Sequence, residues 1–182
     1  YFSFVGDSTF FASGITGIVN AVYNQANLTV CVLDNSTTAM TGHQPNPGVC
    51  TSVLGEGCNH LDIESVVRGI GVTDVAKVKP FNMRGTLKTI EEMKARSGVR
   101  VIIAEEPCML FARRTLKQNR PQVAEVATQG EEALKCLAEL ACPAFRRGGT
   151  AEAPVVSVDE SQCSGCMVCL QVTPAIRARK RS

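Results

Sequence analysis

Residues 6–48 read GDSTFFASGITGIVNAVYNQANLTVCVLDNSTTAMTGHQPNPG, and their pattern indicates how the chain folds. An apolar segment at residues 2–5 leads into Gly6-Asp7-Ser8 and predicts a strand. Residues 14–23 carry apolar side chains at helical spacing. Residues 28–33 are β-branched and without charge, which is typical of a strand buried on both faces.

The alternation of strands and helices continues to about residue 105. It predicts a helix at 62–69 with Asp62 as N-cap, a strand at 75–78, a helix at 84–96 and a strand at 99–104. We therefore expect an α/β fold, with a parallel sheet covered by helices on both faces. Beyond Glu106 we expect helices at 109–119 and 131–140, a loop at 146–152, a short strand at 155–158 and a frayed basic end at 177–182.

Composition narrows the class of protein. The 182 residues, 45% of them hydrophobic, suffice for one core and a small appendage. A net charge of +2 does not indicate nucleic-acid binding, and no apolar run is long enough to cross a membrane. Nine cysteines without a signal peptide favour metal ligands over disulfides. Because Tyr1 opens the chain without an initiator Met, we expect an N-terminally truncated, cytoplasmic protein.

Two polar clusters follow predicted strands, at Gly6-Asp7-Ser8 and at Asp34-Asn35-Ser36. Ligands of parallel sheets bind beyond the carboxyl ends of the strands, so the two clusters should meet in one crevice. Carboxylate and amide oxygens suit Mg²⁺, and the start of the next helix, at Ser8 and Thr9, favours a phosphate. Each cluster alone is more often a turn, but the pair at matching strand ends favours a site.

The GDS…DN pattern resembles the thiamine-diphosphate motif, which is usually written GDG…NN. The whole stretch, and LDNSTTAMTGHQPNPG above all, resembles the α subunit of the indolepyruvate ferredoxin oxidoreductases. That resemblance implies a thiamine-diphosphate-binding fold that covers most of the chain. Ala12 departs from the family, in which a His is expected.

The resemblance also implies the residues that bind the cofactor. Asp7, the side-chain oxygen of Asn35 and the backbone carbonyl of Thr37 would bind Mg²⁺. Gly6, Ser8 and Thr9 would lie near the diphosphate, and the loop from Thr38 to Gly48 would fold over the cofactor.

Cys163, Cys166 and Cys169 are spaced by two residues, which is typical of a 4Fe–4S cluster. In bacterial ferredoxins such a run of cysteines continues with one more cysteine, which precedes a proline and ligates a second cluster. This chain has Thr173 before Pro174 at that place.

The resemblance implies an earlier cysteine run before Cys142-Pro143, with ligand places at Gly130, Ala133 and Cys136. Gly130, Ala133 and Thr173 then stand where cysteines would bind one of the two clusters, so that cluster has lost three of its four ligands. We therefore expect one 4Fe–4S cluster, with Cys136 as a leftover thiol and the ligands Cys142, Cys163, Cys166 and Cys169.

Other interpretations of these side chains stay open. Cys142 could be a core residue, and the cysteine run could bind zinc with His43 or His60, although its spacing favours a cluster. A loop residue such as His43 is more often solvated than part of a site. Cys31 is expected in the core, and Cys50 and Cys58 are expected to be reduced.

The resemblance implies oxidative decarboxylation of an arylpyruvate, typically indolepyruvate. Thiamine diphosphate would carry the reaction, coenzyme A would take the acyl group, and electrons would pass through the cluster to ferredoxin. The activating Glu of thiamine enzymes cannot be placed in this chain, so it is expected from the missing part or from the second (β) subunit.

The predicted domains are residues 1–128 for thiamine diphosphate and residues 129–182 as a ferredoxin-like 4Fe–4S segment. Two alternatives are a ferredoxin-like electron-transfer module without catalysis and a thiamine-dependent decarboxylase without redox function.

Overall fold

Strands and helices alternate through the first 105 residues, as the sequence pattern predicts. The computed structural model describes residues 1–52, 54–57, 59–117 and 120–181. Residue contacts divide the chain into two units, Tyr1–Lys117 and Gln118–Ser182. The first unit begins with strand β1 (Phe2–Gly6), a turn α1 (Asp7–Thr9), a π-helical segment (Phe10–Gly14), helix α2 (Ile15–Tyr23) and strand β2 (Leu28–Asp34).

The remainder of the first unit completes its sheet. A 3₁₀ turn (Ala39–Thr41) and a small hairpin of β3 (Thr51–Ser52) and β4 (Gly55–Glu56) lead to α3 (Ile63–Gly69), β5 (Asp74–Val78), α4 (Met83–Lys94), β6 (Val99–Glu105) and α5 (Met109–Arg114). The described strands of the main sheet are all parallel, in the order β1-β2-β6-β5.

Both faces of this sheet are covered by helices, which confirms the predicted fold class. Successive side chains of a strand point to opposite faces. On one face Val32 and Ile103 pack with Ile18 of α2 and Val67 of α3. On the other face Ile102 packs with residues of α4 that include Met93. The predicted N-cap of α3 is also confirmed, because the Asp62 carboxylate accepts a 2.7 Å hydrogen bond from the Ser65 N–H.

The second unit contains two antiparallel strand pairs and two helices. Its elements are β7 (Gln122–Val126), α6 (Glu131–Glu139), β8 (Phe145–Gly149), β9 (Pro154–Val158), α7 (Cys169–Val172) and β10 (Ile176–Lys180). β7 pairs with β10, and β8 pairs with β9. This strand–helix–strand–strand–helix–strand order is typical of ferredoxin-like folds.

Two predictions for the second unit are wrong. Residues 146–152 are not simply a loop, because Arg146 to Gly149 belong to strand β8. From Ile176 to Lys180 the basic end is not frayed, because β10 pairs along its whole length with β7. Arg177 lies opposite Glu125 and forms a 2.8 Å ion pair with it, so part of the basic charge of β10 is paired across the strands.

Two predicted bounds also differ from the structure. The division between the units falls after Lys117 rather than after residue 128, because β7 pairs with the last strand. The helix predicted at 109–119 ends at Arg114, and Gln118 and Asn119 lie outside the described residues. Within the described part of the chain, no helix is long and apolar enough to cross a membrane.

Candidate functional site

The two polar clusters predicted from the sequence lie at the same edge of the parallel sheet. Gly6 is the register partner of Leu33, and Asp34 is the partner of Glu105. Asp7 therefore follows β1 at the edge where Asn35 follows β2. The sheet brings the two motifs together, as expected for the ends of neighbouring parallel strands.

Asp7 is a buried carboxylate, with only 2% of its surface exposed. Its Oδ1 accepts a 2.7 Å hydrogen bond from the Ser8 N–H, and its Oδ2 accepts a 3.1 Å bond from Nδ2 of Asn46. Among the described residues no cation pairs with Asp7. Because an isolated buried charge is costly, this arrangement fits a bound cation.

Asn35 and Thr37 form the turn that follows β2. Asn35 Oδ1 accepts a 3.1 Å hydrogen bond from the Thr37 N–H, and Asp34 Oδ1 accepts a 3.0 Å bond from the Ser36 N–H. The side-chain oxygen of Thr37 is buried and has no hydrogen-bond partner among the described residues. An unpaired buried hydroxyl beside Asn35 fits a polar group that the protein itself does not supply.

Negative charge accumulates at this edge. Burial, followed by the charges of Asp7 and Glu105, raises the pKa of Asp34, although the Ser36 N–H bond and His60 oppose the shift. A divalent cation would offset this repulsion. The electrostatics of this edge of the sheet and its oxygen donor atoms therefore both favour a bound cation.

The loop after Thr37 is tied to the helix that follows Asp7. Asn46 bonds to Asp7 through its amide nitrogen, and its Oδ1 accepts a 2.8 Å bond from the Gly48 N–H. Gly48 lies against Phe11, so that a Cβ atom at this position would be 2.9 Å from the Phe11 ring. Only glycine allows the loop to approach the helix this closely.

The predicted phosphate-binding residues lie where the helix begins. Ser8 is half-buried and Thr9 is exposed, and both belong to α1. Gly6 has open space where a Cβ would stand, so contacts within the protein do not explain why it is glycine. Ala12 is exposed within the π-helical segment.

A cavity of about 480 Å³ opens beside these motifs. Its wall includes Thr37, His43, His60 and Phe111. The rings of His43 and Phe111 are stacked, with 5.5 Å between their centroids and 28° between their planes. The sequence placed His43 near the presumed cofactor but favoured a solvated or locally bonded side chain, and it did not single out Phe111, because their contact joins segments far apart in the chain.

The cysteines predicted to hold a cluster converge in the second unit. Cys142, Cys163, Cys166 and Cys169 line one cavity of about 210 Å³. The Ala124 N–H donates a 3.5 Å hydrogen bond to the Cys163 sulfur. Such bonds help to set the potential of an iron–sulfur cluster.

Gly165 shapes the cysteine loop. Its φ is +74°, and a Cβ atom there would lie 2.6 Å from the carbonyl oxygen of Gln122. Because both the backbone conformation and the available space exclude a side chain, the bend between Cys163 and Cys166 requires glycine.

Three of the positions that would bind the second, lost cluster are buried. Two of them lie in the packed core, and the third carries a buried hydroxyl. Ala133 and Cys136 are fully buried. The Thr173 hydroxyl is also buried, donates a 2.9 Å bond to Glu132 and accepts a 3.2 Å bond from the Ala175 N–H. Cys136 does not belong to the wall of the cysteine cavity.

The thiols of this unit are close enough to influence one another. Burial, followed by the neighbouring cysteines, raises the pKa of Cys169 to about 12. Burial, followed by Cys142 and Glu139, raises the pKa of Cys136 to about 11. A cluster that binds thiolates would have to overcome this preference for the neutral thiol.

Within the described residues, no group of three or more His, Cys, Asp or Glu side chains converges as the ligands of a single metal ion would. His43 and His60 line the cavity of the first unit instead. Cys31 is buried, as expected, and Cys50 is an exposed free thiol. Cys58 lies outside the described residues.

Comparison with known proteins gives three kinds of match. Residues 1–104 match the family described as thiamine pyrophosphate enzyme, C-terminal TPP binding domain. The chain is 42% identical over 177 residues to the indolepyruvate oxidoreductase subunit IorA of Methanothermobacter thermautotrophicus, which covers 95% of this chain and 27% of that protein. The same subunit of Archaeoglobus fulgidus is 39% identical, over 93% of this chain and 27% of the relative. The chain thus spans about a quarter of the length of these curated relatives.

One solved structure is similar in fold. The 2-oxoglutarate:ferredoxin oxidoreductase from Magnetococcus marinus, solved with 2-oxoglutarate, coenzyme A and succinyl-CoA bound, superposes with a TM-score of 0.52. The match covers 57% of this chain and 38% of that one at 19% identity. At this identity the likeness concerns the fold alone.

Proposed function

Because this chain belongs to the thiamine pyrophosphate enzymes that share the C-terminal TPP binding domain, we propose that it is part of a 2-oxoacid:ferredoxin oxidoreductase that acts on an arylpyruvate. One combination carries the proposal: the same chain has, at the strand ends, a buried carboxylate with which no described cation pairs, and it has a cavity lined by four cysteines. The first feature suits a thiamine diphosphate site, and the second suits the removal of electrons.

Asp7, Asn35 and the carbonyl of Thr37 are the proposed ligands of Mg²⁺. Gly6, Ser8, Thr9 and Thr38 would surround the diphosphate. Two observations on the described residues support this assignment: no cation pairs with the buried Asp7 carboxylate, and the buried Thr37 hydroxyl has no hydrogen-bond partner. Thiamine diphosphate, when bound, supplies the electron sink for decarboxylation.

Cys142, Cys163, Cys166 and Cys169 are the proposed ligands of one 4Fe–4S cluster. Their shared cavity supports this role. The cluster would pass electrons one at a time to ferredoxin.

The substrate and partners follow from the relatives. Two of them are named indolepyruvate oxidoreductase subunits, so indolepyruvate or a similar arylpyruvate is the proposed 2-oxoacid. Coenzyme A would take the acyl group, and a second (β) subunit would complete the enzyme in the cytoplasm. The activating Glu would come from outside these 182 residues.

The test uses one anaerobic preparation of the assembled enzyme. Iron and thiamine diphosphate are measured together with the reduction of a viologen dye that depends on indolepyruvate and coenzyme A. The proposal requires both cofactors and the dye reduction. Iron without thiamine diphosphate would indicate an electron-transfer module, and thiamine diphosphate without iron would indicate a non-redox decarboxylase. Either result contradicts the proposal.

A further inference from the structure

His43 and Phe111 lie beside the proposed metal ligands for a structural reason. Phe111 belongs to helix α5, whose N-cap Cys108 donates a 2.9 Å backbone hydrogen bond to the carbonyl of Asn35. The His43 N–H donates a 3.0 Å bond to the carbonyl of Thr38. Both rings are therefore anchored to the turn that follows β2.

The backbone of His43 is held in an unusual conformation. Its φ is +65°, in the left-handed region that residues other than glycine seldom adopt. The Thr38 N–H closes this part of the loop by donating a 2.9 Å bond to the Gln44 carbonyl. Strain of this kind, maintained by surrounding bonds, is common at functional sites.

The ring of His43 has one buried nitrogen. Nδ1 is covered by protein atoms and has no hydrogen-bond partner among the described residues. A hydrogen on Nδ1 would be a buried donor without an acceptor among the described residues. The geometry therefore favours Nε2 as the nitrogen through which His43 donates a hydrogen bond.

The cavity that His43 and Phe111 share has a defined chemical character. None of the described residues on its wall is Lys, Arg, Asp or Glu. Phe111 and Leu116 supply apolar surface, whereas Thr115 and the two histidines supply polar groups. Its volume falls in the range of small-molecule sites.

We propose that this cavity receives the substrate, with His43 Nε2–H donating to an oxygen of the 2-oxoacid and Phe111 packing against its aromatic side chain. This inference rests on the proposed function and adds the residues that set specificity. None of the described wall residues is a Lys or Arg that would form an ion pair with the substrate carboxylate, which must leave as CO₂.

The test measures binding separately from turnover. The probe is indole-3-lactate, an aromatic 2-hydroxy acid that lacks the carbonyl on which the reaction depends. Its Kd for the assembled enzyme is measured by calorimetry for wild type, His43→Phe, His43→Gln, Phe111→Leu and the control Leu110→Ala. Leu110 lies beside Phe111 in helix α5 but is exposed and outside the cavity wall.

His43→Phe keeps an aromatic ring on Phe111 but removes the donor, so the Kd should rise about ten-fold. His43→Gln, which restores an N–H, should recover most of the affinity. Phe111→Leu should weaken the binding of indole-3-lactate and leave the Kd for lactate unchanged. In turnover, His43→Phe should raise KM more than it lowers kcat.

Three outcomes would overturn the inference: an unchanged Kd for His43→Phe, an equal loss for Leu110→Ala, or a fall in bound thiamine diphosphate in His43→Phe. The last result would assign His43 to the cofactor. A wild-type enzyme that binds no thiamine diphosphate would instead overturn the proposed function, and the Kd series would still decide the role of His43.

Discussion

At the scale of single residues, Asp7 combines full burial with a charge. The sequence predicted Asp7 and Asn35 because both follow apolar strands, and strand ends can be recognised from local pattern. Asn46, which bonds to Asp7, and Phe111, which stacks on His43, were not predicted. Their partners lie 39 and 68 residues away, and no local pattern records a contact of that range.

Replacing Asp7 with Asn tests the proposed metal site. The substitution removes the charge and keeps the shape, so Mg²⁺-dependent binding of thiamine diphosphate should weaken by at least about ten-fold. The melting temperature without cofactor should change little, because removing the carboxylate charge is offset by the loss of one of the two N–H bonds that Asp7 accepts. Calorimetry of the assembled enzyme and thermal unfolding measure the two effects.

Asp74→Asn is the matched control for this change. Asp74 begins β5, at the opposite end of the sheet, and pairs with Arg96. Cofactor binding should be unchanged. A normal affinity in Asp7→Asn, or an equal loss in Asp74→Asn, would count against Asp7 as a metal ligand.

Two cysteine substitutions test the number of clusters. Cys142→Ser should destabilise the cluster, whereas Cys136→Ser should leave about four irons per chain, the content of one cube. The reason is that Cys142 lines the cysteine cavity and Cys136 does not. Iron analysis and the spectrum of the reduced cluster measure both, and about eight irons in the wild type would refute the single-cluster count.

At the scale of elements, the parallel sheet could be predicted well because its strands are buried on both faces. Such strands are continuous apolar runs, and β2 and β6 were located to within one residue. β8 and β10 were missed because Arg146, Arg147, Arg177 and Arg179 dominate their sequences. Exposed strands whose charges are paired across the ladder lack the apolar pattern on which the prediction depends.

The π-helical segment at Phe10–Gly14 yields a prediction of its own. A π-helical turn already holds one residue more than an α-helical turn, so a further residue cannot be absorbed in it. Inserting an alanine after Ala12 should therefore rotate Asp7 by about 100° relative to Ile18, which is held in the core, and cofactor binding should fall while helix content is largely kept. Circular dichroism and calorimetry measure these properties, with Ala12→Ser as the neutral control; wild-type affinity in the insertion variant would contradict the role given to this segment.

At the scale of the whole molecule, the order of the two units could be predicted, but the point of division could not. Cysteine positions suggested that the second unit began at residue 129. The structure includes β7 in it because Gln122 to Val126 pair with a strand more than fifty residues later. That pairing depends on the three-dimensional fold and leaves no mark near residue 118.

The chain by itself should not turn over. It spans about a quarter of its relatives, and the activating Glu of thiamine enzymes is not assigned within it. The purified 182 residues should show no indolepyruvate-dependent reduction of a viologen dye, and activity should return when the complete enzyme is assembled. Turnover by the chain alone would mean that the acid is among its own residues.

Gly165 has a consequence for how this gene can change. Every amino-acid replacement that one base change can make in a glycine codon introduces a Cβ atom. At this position that atom would lie 2.6 Å from the Gln122 carbonyl oxygen, on a backbone with a φ of +74°. Mutation can therefore alter the third base of the codon freely, whereas an amino-acid replacement caused by a change in the first or second base distorts the cysteine loop.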